Sequence, residues 1–102
     1  MAEYRLSPAA ERDLEHIVTY TRDQWGADQA SRYMDRLFAA FDELARAPKS
    51  APACDHIRPG YRRRGVERHV IYFRVMPYGV AIVRILHEHM DAGRHIESGD
   101  CP

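Results

Sequence analysis

Residues 69–87 read His-Val-Ile-Tyr-Phe-Arg-Val-Met-Pro-Tyr-Gly-Val-Ala-Ile-Val-Arg-Ile-Leu-His, and the fold follows from them. Two runs rich in β-branched and aromatic residues, Val70–Val75 and Val80–His87, have the composition of strands. Between them Met76-Pro77-Tyr78-Gly79 carries proline at the second and glycine at the fourth position of a type I turn. The pair is therefore a β-hairpin. Apolar side chains occupy both of its faces, so the hairpin needs cover from the rest of the chain.

Moving toward the N-terminus, Ile57 to Arg63 is a weaker strand candidate. Pro59 and Gly60 interrupt it and confine it to an edge or a bulge. The stretch 48–56, Pro-Lys-Ser-Ala-Pro-Ala-Cys-Asp-His, is a loop by composition. Before it stand two helical patterns. In the first, Ser7 supplies the capping hydroxyl and Pro8 takes the first helical position, where a missing N–H costs nothing. Ala10, Leu14, Ile17, Val18, Thr21 and Trp25 then recur at three and four residues, and Gly26 ends the helix. In the second, Asp28 is the expected cap, and Ala30, Tyr33, Met34, Leu37, Phe38, Phe41, Leu44 and Ala45 form a broad stripe that Pro48 stops. So short a turn makes 8–47 an αα-hairpin. Glu3–Leu6 alternates as a short strand. The expectation is an α+β domain of order β-α-α-β-β-β, a helical hairpin packed on a small antiparallel sheet. Strands fall in 57–87 and a tail in 92–102, so 1–102 is one domain.

Composition limits the function. At 102 residues, 45% hydrophobic and 29% charged, the chain matches a folded domain rather than a disordered one. No apolar run approaches the roughly 18 residues of a membrane span, and the N-terminus lacks the order of a signal peptide, so the expected compartment is the cytoplasm. Cys54 and Cys101 are then read as free thiols. Net charge is zero but uneven: residues 1–56 hold 7 Lys/Arg against 10 Asp/Glu, and residues 57–102 hold 8 against 5. All eight cations of the second half are arginine, the side chain suited to bidentate carboxylate or phosphate contacts.

The order of elements, with particular residues in it, resembles the ParE family of the ParE/RelE toxin superfamily. The likeness is carried by Tyr4-Arg5-Leu6-Ser7-Pro8-Ala9-Ala10 with Asp13-Leu14 and Ile17, and by Trp25-Gly26 with Ala30. It continues through Gly60-Tyr61-Arg62-Arg63, His69-Val70-Ile71-Tyr72-Phe73-Arg74, Ile82-Val83-Arg84-Ile85-Leu86-His87, Met90-Asp91 and His95-Ile96, spanning roughly residues 3 to 96. The resemblance implies a toxin neutralised by a ParD-like antitoxin, which alone contacts operator DNA, and it implies DNA gyrase as the target. The RelE branch shares the fold but cuts messenger RNA in the ribosome.

Residue chemistry bears on that branch point. RNA cleavage through a 2′-hydroxyl needs a base, cations for the phosphate and an acid for the leaving oxygen. Arg62, Arg84 and His87 are the candidates, with His87-Glu88 available for acid–base work. However, no lysine follows Lys49 and no tyrosine follows Tyr78, which favours binding over nuclease chemistry. For the antitoxin, the candidates are Arg62, Arg63, Arg64 and Arg74 with Tyr33, Leu37 or Phe41, one of which is expected to stay exposed at the edge of the wide stripe. The arginine run 62–64 reads equally as a solvated segment that protects a sheet edge. For the target, the candidates are Arg84, His87, Met90, Asp91 and His95. His87-Glu88-His89, with Asp91 and His95 near, lacks a cysteine in any zinc-finger spacing. It is read as no metal site, His87 being a structural residue bonded to nearby backbone, and no cofactor is expected.

Overall fold

Ser7 organises the start of the chain. Its hydroxyl accepts from the Ala10 N–H at 3.0 Å, capping the helix that begins at Pro8, and donates to the Val83 carbonyl at 2.7 Å. One buried side chain thus ties a helix terminus to a strand 76 residues away. In the computed structural model, which describes residues 2–96, the elements are β1 (Glu3–Leu6), α1 (Pro8–Trp25), α2 (Ala27–Arg46), a 3-10 turn (Pro48–Ser50), β2 (Tyr61–Val66), β3 (His69–Met76), β4 (Gly79–His87) and the short α3 (Ala92–His95). This is the expected α+β order. Cys101 and the tail beyond Ile96 lie outside the described residues.

The helical joint is tighter than expected. Gly26, at φ +93°, donates its N–H to the Arg22 carbonyl and accepts from the Ala30 N–H. It closes α1 and opens α2 by itself. Asp28 is consequently already inside α2 and does not cap it; a carboxylate in that first turn still suits the helix dipole. β2 also starts later than expected, at Tyr61, because Pro59 and Gly60 belong to the loop that precedes it.

The sheet runs β1-β4-β3-β2. β2, β3 and β4 are antiparallel as expected, but β1 pairs with β4 in parallel, Glu3 opposite Gly79 and Leu6 opposite Ile82. Gly79 is required at that crossing, since a Cβ there would stand 1.9 Å from the Glu3 carbonyl oxygen. Tyr72 faces Arg84 while Phe73 faces Ile82, so Val83 is an extra residue in β4. This bulge lets both Ile82 and Ile85 face the helices, three residues apart.

The main core lies between helices and sheet and includes Leu14, Leu37, Phe41, Leu44, Ile71, Phe73, Val80, Ile82 and Ile85. The expectation that Tyr33, Leu37 or Phe41 remains exposed does not hold: Leu37 and Phe41 are fully buried and Tyr33 nearly so. The stripe is wide because α2 packs on α1, on β1 and on β4 at once. Its exposed aromatic is Phe38. The far face of the sheet has its own cluster, in which Cys54, Ile57, Ala92 and Ile96 cover Tyr61, Val70, Tyr72, Val83 and Leu86. Cys54 is a free, buried thiol. Among the described residues no helix is long and apolar enough to cross a membrane.

Candidate functional site

β1 pairs only with residues 79–82 of β4, and beyond that point side chains take over the role of a neighbouring strand. Ser7 satisfies the Val83 carbonyl, and Asp13, one turn into α1, accepts the Ile85 N–H at 2.9 Å. The same carboxylate binds Arg84 at two points, Nε at 2.8 Å and a terminal nitrogen at 2.9 Å. Arg84 also donates to the His95 carbonyl at 2.7 Å. This cluster pins the start of α1, the end of β4 and α3 together, and above it α1 and the sheet diverge.

The divergence opens a groove of about 590 Å³. One wall is α1, through His16, Tyr20 and Trp25. The opposite wall is the tip of the β2–β3 hairpin and the end of β4, through Arg68, His69, His87 and Met90, while Tyr33 and Arg36 of α2 close one side. Trp25 is 68% exposed and Tyr20 65% exposed, although helical spacing places Trp25 on the apolar stripe. The stripe outruns the sheet at that end of α1, so nothing among the described residues covers it.

The polar part of the groove is a row of rings. The Tyr33 hydroxyl donates to the Val66 carbonyl at 3.1 Å and lies 2.6 Å from Nδ1 of His69. His69 meets His87 edge to face at 5.4 Å between centroids, and His87 lies 5.1 Å from His89. Burial holds the His69 imidazole below its ordinary pKa, helped by the neighbouring His87 and opposed by Asp13 and Glu88. Burial likewise raises the Tyr33 hydroxyl. At neutral pH Tyr33 and His69 therefore present uncharged rings to the groove, whose lining also includes Arg36 and Arg68. Arg36 binds Glu67 at 2.6 Å. Glu67 sits at φ +55° in the hairpin turn, a conformation that is strained for a residue with a side chain.

The residues singled out from sequence are scattered over this frame. His87 and Met90 line the groove, and His87 Nδ1 accepts from the His89 N–H at 3.2 Å, the backbone bond expected of it. The other expected target contacts hold structure: Arg84 as above, Asp91 by capping α3 through the Gly93 N–H, and His95 through its carbonyl. Of the arginines, Arg62 donates to the Ala51 carbonyl at 2.7 Å and Arg64 binds Glu43 at 2.7 Å. Arg63 is exposed and Arg74 lies over the Tyr61 ring. The candidate nuclease set of Arg62, Arg84 and His87 is thus divided among three separate partners. Among the described residues no three His, Cys, Asp or Glu side chains are placed to hold a metal ion. Sequence reasoning missed Tyr20, His16 and His69; the available signal was an aromatic, Tyr20, lying outside the apolar stripe of α1.

Known proteins are similar to this chain. The family model described as the ParE toxin of the type II toxin–antitoxin system parDE matches residues 4–92. The chain is 44% identical over 96 residues to Toxin ParE1 of Mycobacterium tuberculosis, covering 93% of this chain and 98% of that protein. It is 38% identical over 96 residues to Toxin ParE1 of Caulobacter vibrioides, covering 94% and 99%. A solved structure described as the chromosomal ParDE TA system from P. aeruginosa superposes with a TM-score of 0.74 at 20% identity, over 85% of this chain and 96% of that one. At that identity the superposition speaks for the fold alone, while the family model spans the chain from β1 to the start of α3. On these grounds the chain belongs to the ParE toxin family of type II toxin–antitoxin systems.

Proposed function

We propose that the chain is the toxin of a cytoplasmic toxin–antitoxin pair, silenced by a ParD-like antitoxin that fills the groove between α1 and the sheet. The supporting observation is the exposure of Trp25, Tyr20 and Met90, at 68%, 65% and 40%, around one concavity. Large aromatic and thioether side chains left in water beside a preformed cleft fit an amphipathic helix that buries them. The P. aeruginosa structure is described as a ParDE TA system, and the ParE1 relatives are matched over 98% and 99% of their length. Operator DNA is contacted through the antitoxin, in keeping with the zero net charge of this chain.

The proposed action is binding to DNA gyrase rather than RNA cleavage. Arg62 and Arg84 are engaged in structural hydrogen bonds on different elements, so these two cations do not form a phosphate clamp beside His87. Two measurements test the proposal. Hydrogen exchange of the toxin with and without its cognate antitoxin is expected to show protection in 16–25 and 33–36; absence of protection there removes the groove assignment. Inducing the chain alone is expected to produce DNA-break markers and altered supercoiling. Rapid messenger RNA cleavage without DNA damage points instead to the nuclease branch.

A further inference from the structure

His69 and His87 stand directly opposite each other on β3 and β4. Alternation puts them on the face that carries Ile71 and Ile85, where the sheet ends under the groove. Their hydrogen bonds fix where each ring keeps its proton. Two oxygens 3.1 Å apart repel unless a proton lies between them, so the Tyr33 hydroxyl gives its single proton to the Val66 carbonyl. The 2.6 Å contact with His69 then runs the other way, Nδ1–H donating to the phenol oxygen. Neutral His69 is left with a bare acceptor at Nε2. His87 is the reverse: its Nδ1 accepts from the His89 N–H, so its own N–H is at Nε2. Among the described residues neither Nε2 has a partner, and no buried side-chain nitrogen is left unsatisfied. Both are therefore open to the groove that the two rings line.

We propose that the His69–His87 pair is a recognition subsite, which takes one carboxamide, an Asn or Gln side chain, of the helix that fills the groove. Resting on the groove as the partner's site, it adds a chemical requirement on what binds there. An acceptor beside a donor matches the NH2 and C=O of a carboxamide. The ring centroids are 5.4 Å apart, a gap that one planar amide bridges with two hydrogen bonds of about 2.9 Å. A helix uses its own backbone groups internally, and a hydroxyl would have to serve both rings from a single atom. A carboxylate has no proton to give and meets the bare Nε2 of His69 unfavourably. Most charges around the pair are committed elsewhere. Asp13 of α1 is bound to Arg84, and Glu67 of the hairpin turn to Arg36 of α2. That leaves Arg68 in the turn, His16 on α1, and Glu88 with His89 beyond β4. Proton uptake by His69 turns its acceptor into a second donor, so acid conditions reverse the preference from carboxamide to carboxylate. Burial keeps that proton off at neutral pH.

Calorimetric titration of the whole toxin with its cognate antitoxin tests the subsite, each Asn and Gln of the antitoxin being changed singly to Leu or Met. At pH 7.5 one such change is expected to weaken binding about tenfold, and His69→Phe by a similar factor. Together they are expected to weaken it no further, as a shared contact requires. Replacing that carboxamide by the matching carboxylate is expected to weaken binding at pH 7.5 and restore it at pH 5.5, except with His69→Phe. In the free toxin, nitrogen-15 NMR of the imidazoles is expected to find the proton on Nδ1 of His69 and on Nε2 of His87, a readout that needs no partner. The proposal is overturned if either ring holds its proton on the other nitrogen, if no Asn or Gln couples to His69, or if the carboxylate variant binds equally well at pH 7.5. Where Trp25→Ala still weakens binding, such a failure belongs to the subsite alone; Trp25→Ala without effect overturns the groove assignment with it.

Discussion

Asp13 and Arg84, 71 residues apart in sequence, meet through two short hydrogen bonds while the same carboxylate accepts a strand amide. Their side chains are 11% and 18% exposed. The pair replaces the strand partner that β4 lacks beyond β1. Asp13→Ala leaves a guanidinium and an N–H without their acceptor, and is expected to cost about 3 kcal/mol. Urea denaturation measures this, and the loss should persist in high salt because the site is largely shielded from ions. Asp13→Ala combined with Arg84→Met is expected to cost less than the sum of the single changes.

Gly79 permits the parallel pairing of β1. At φ +145°, with the Glu3 backbone where a Cβ would go, Gly79→Ala is expected to detach β1 and destabilise the fold by at least about 2 kcal/mol. Amide exchange at Arg5 and Ser7 should rise well above that of the β3–β4 hairpin. Gly60→Ala is the control, since a positive φ is its sole obstacle and no atom lies within 4 Å; about 1 kcal/mol is expected.

Trp25 separates binding from stability. Trp25→Ala is expected to change unfolding free energy by no more than about 0.5 kcal/mol and to weaken antitoxin binding tenfold or more, by calorimetric titration. Leu37→Ala is expected to behave in the opposite way, costing about 3 kcal/mol of stability from the core.

His69 links the fold to pH. Burial and His87 lower its folded-state pKa below the ordinary 6.5, so the unfolded chain takes up the proton first as pH falls. Stability is therefore complete above about 6.5 and lost as pH drops through the folded-state value. His69→Gln is expected to flatten that decline, compared by denaturant unfolding between pH 7.5 and 5.

Local rules made most of the fold legible. Ser7-Pro8, Gly26 and the turn at Met76–Gly79 state their roles through cap and turn chemistry, and the order of elements follows. What escaped depends on contacts between distant segments. Glu3–Leu6 reads as a strand in any pairing, and only the path through both helices makes its neighbour β4 and its direction parallel. The width of the α2 stripe was visible, but whether it meant a partner or two neighbours within the chain rested on where β1 lies. The groove was legible in part. His87 and Met90 stood out from their segment, whereas Trp25 looked like core because periodicity records a face and not where the opposing layer ends. Arg84 looked functional for the same reason that it is structural: a conspicuous cation in an apolar strand needs a carboxylate, and Asp13 was already present in α1.

The single-residue joint at Gly26 makes the chain intolerant of insertions and deletions at that point. A helix advances about 100° per residue, so one added residue either turns α2 until Leu37 and Phe41 leave the core or forces the joint to be rebuilt. The connection between Ser50 and Tyr61 is held as well, since Cys54 and Ile57 pack in the far-face cluster and the Cys54 N–H donates to the Tyr61 carbonyl at 2.8 Å. The two walls that frame the groove on the helical side are accordingly locked in rotation relative to each other.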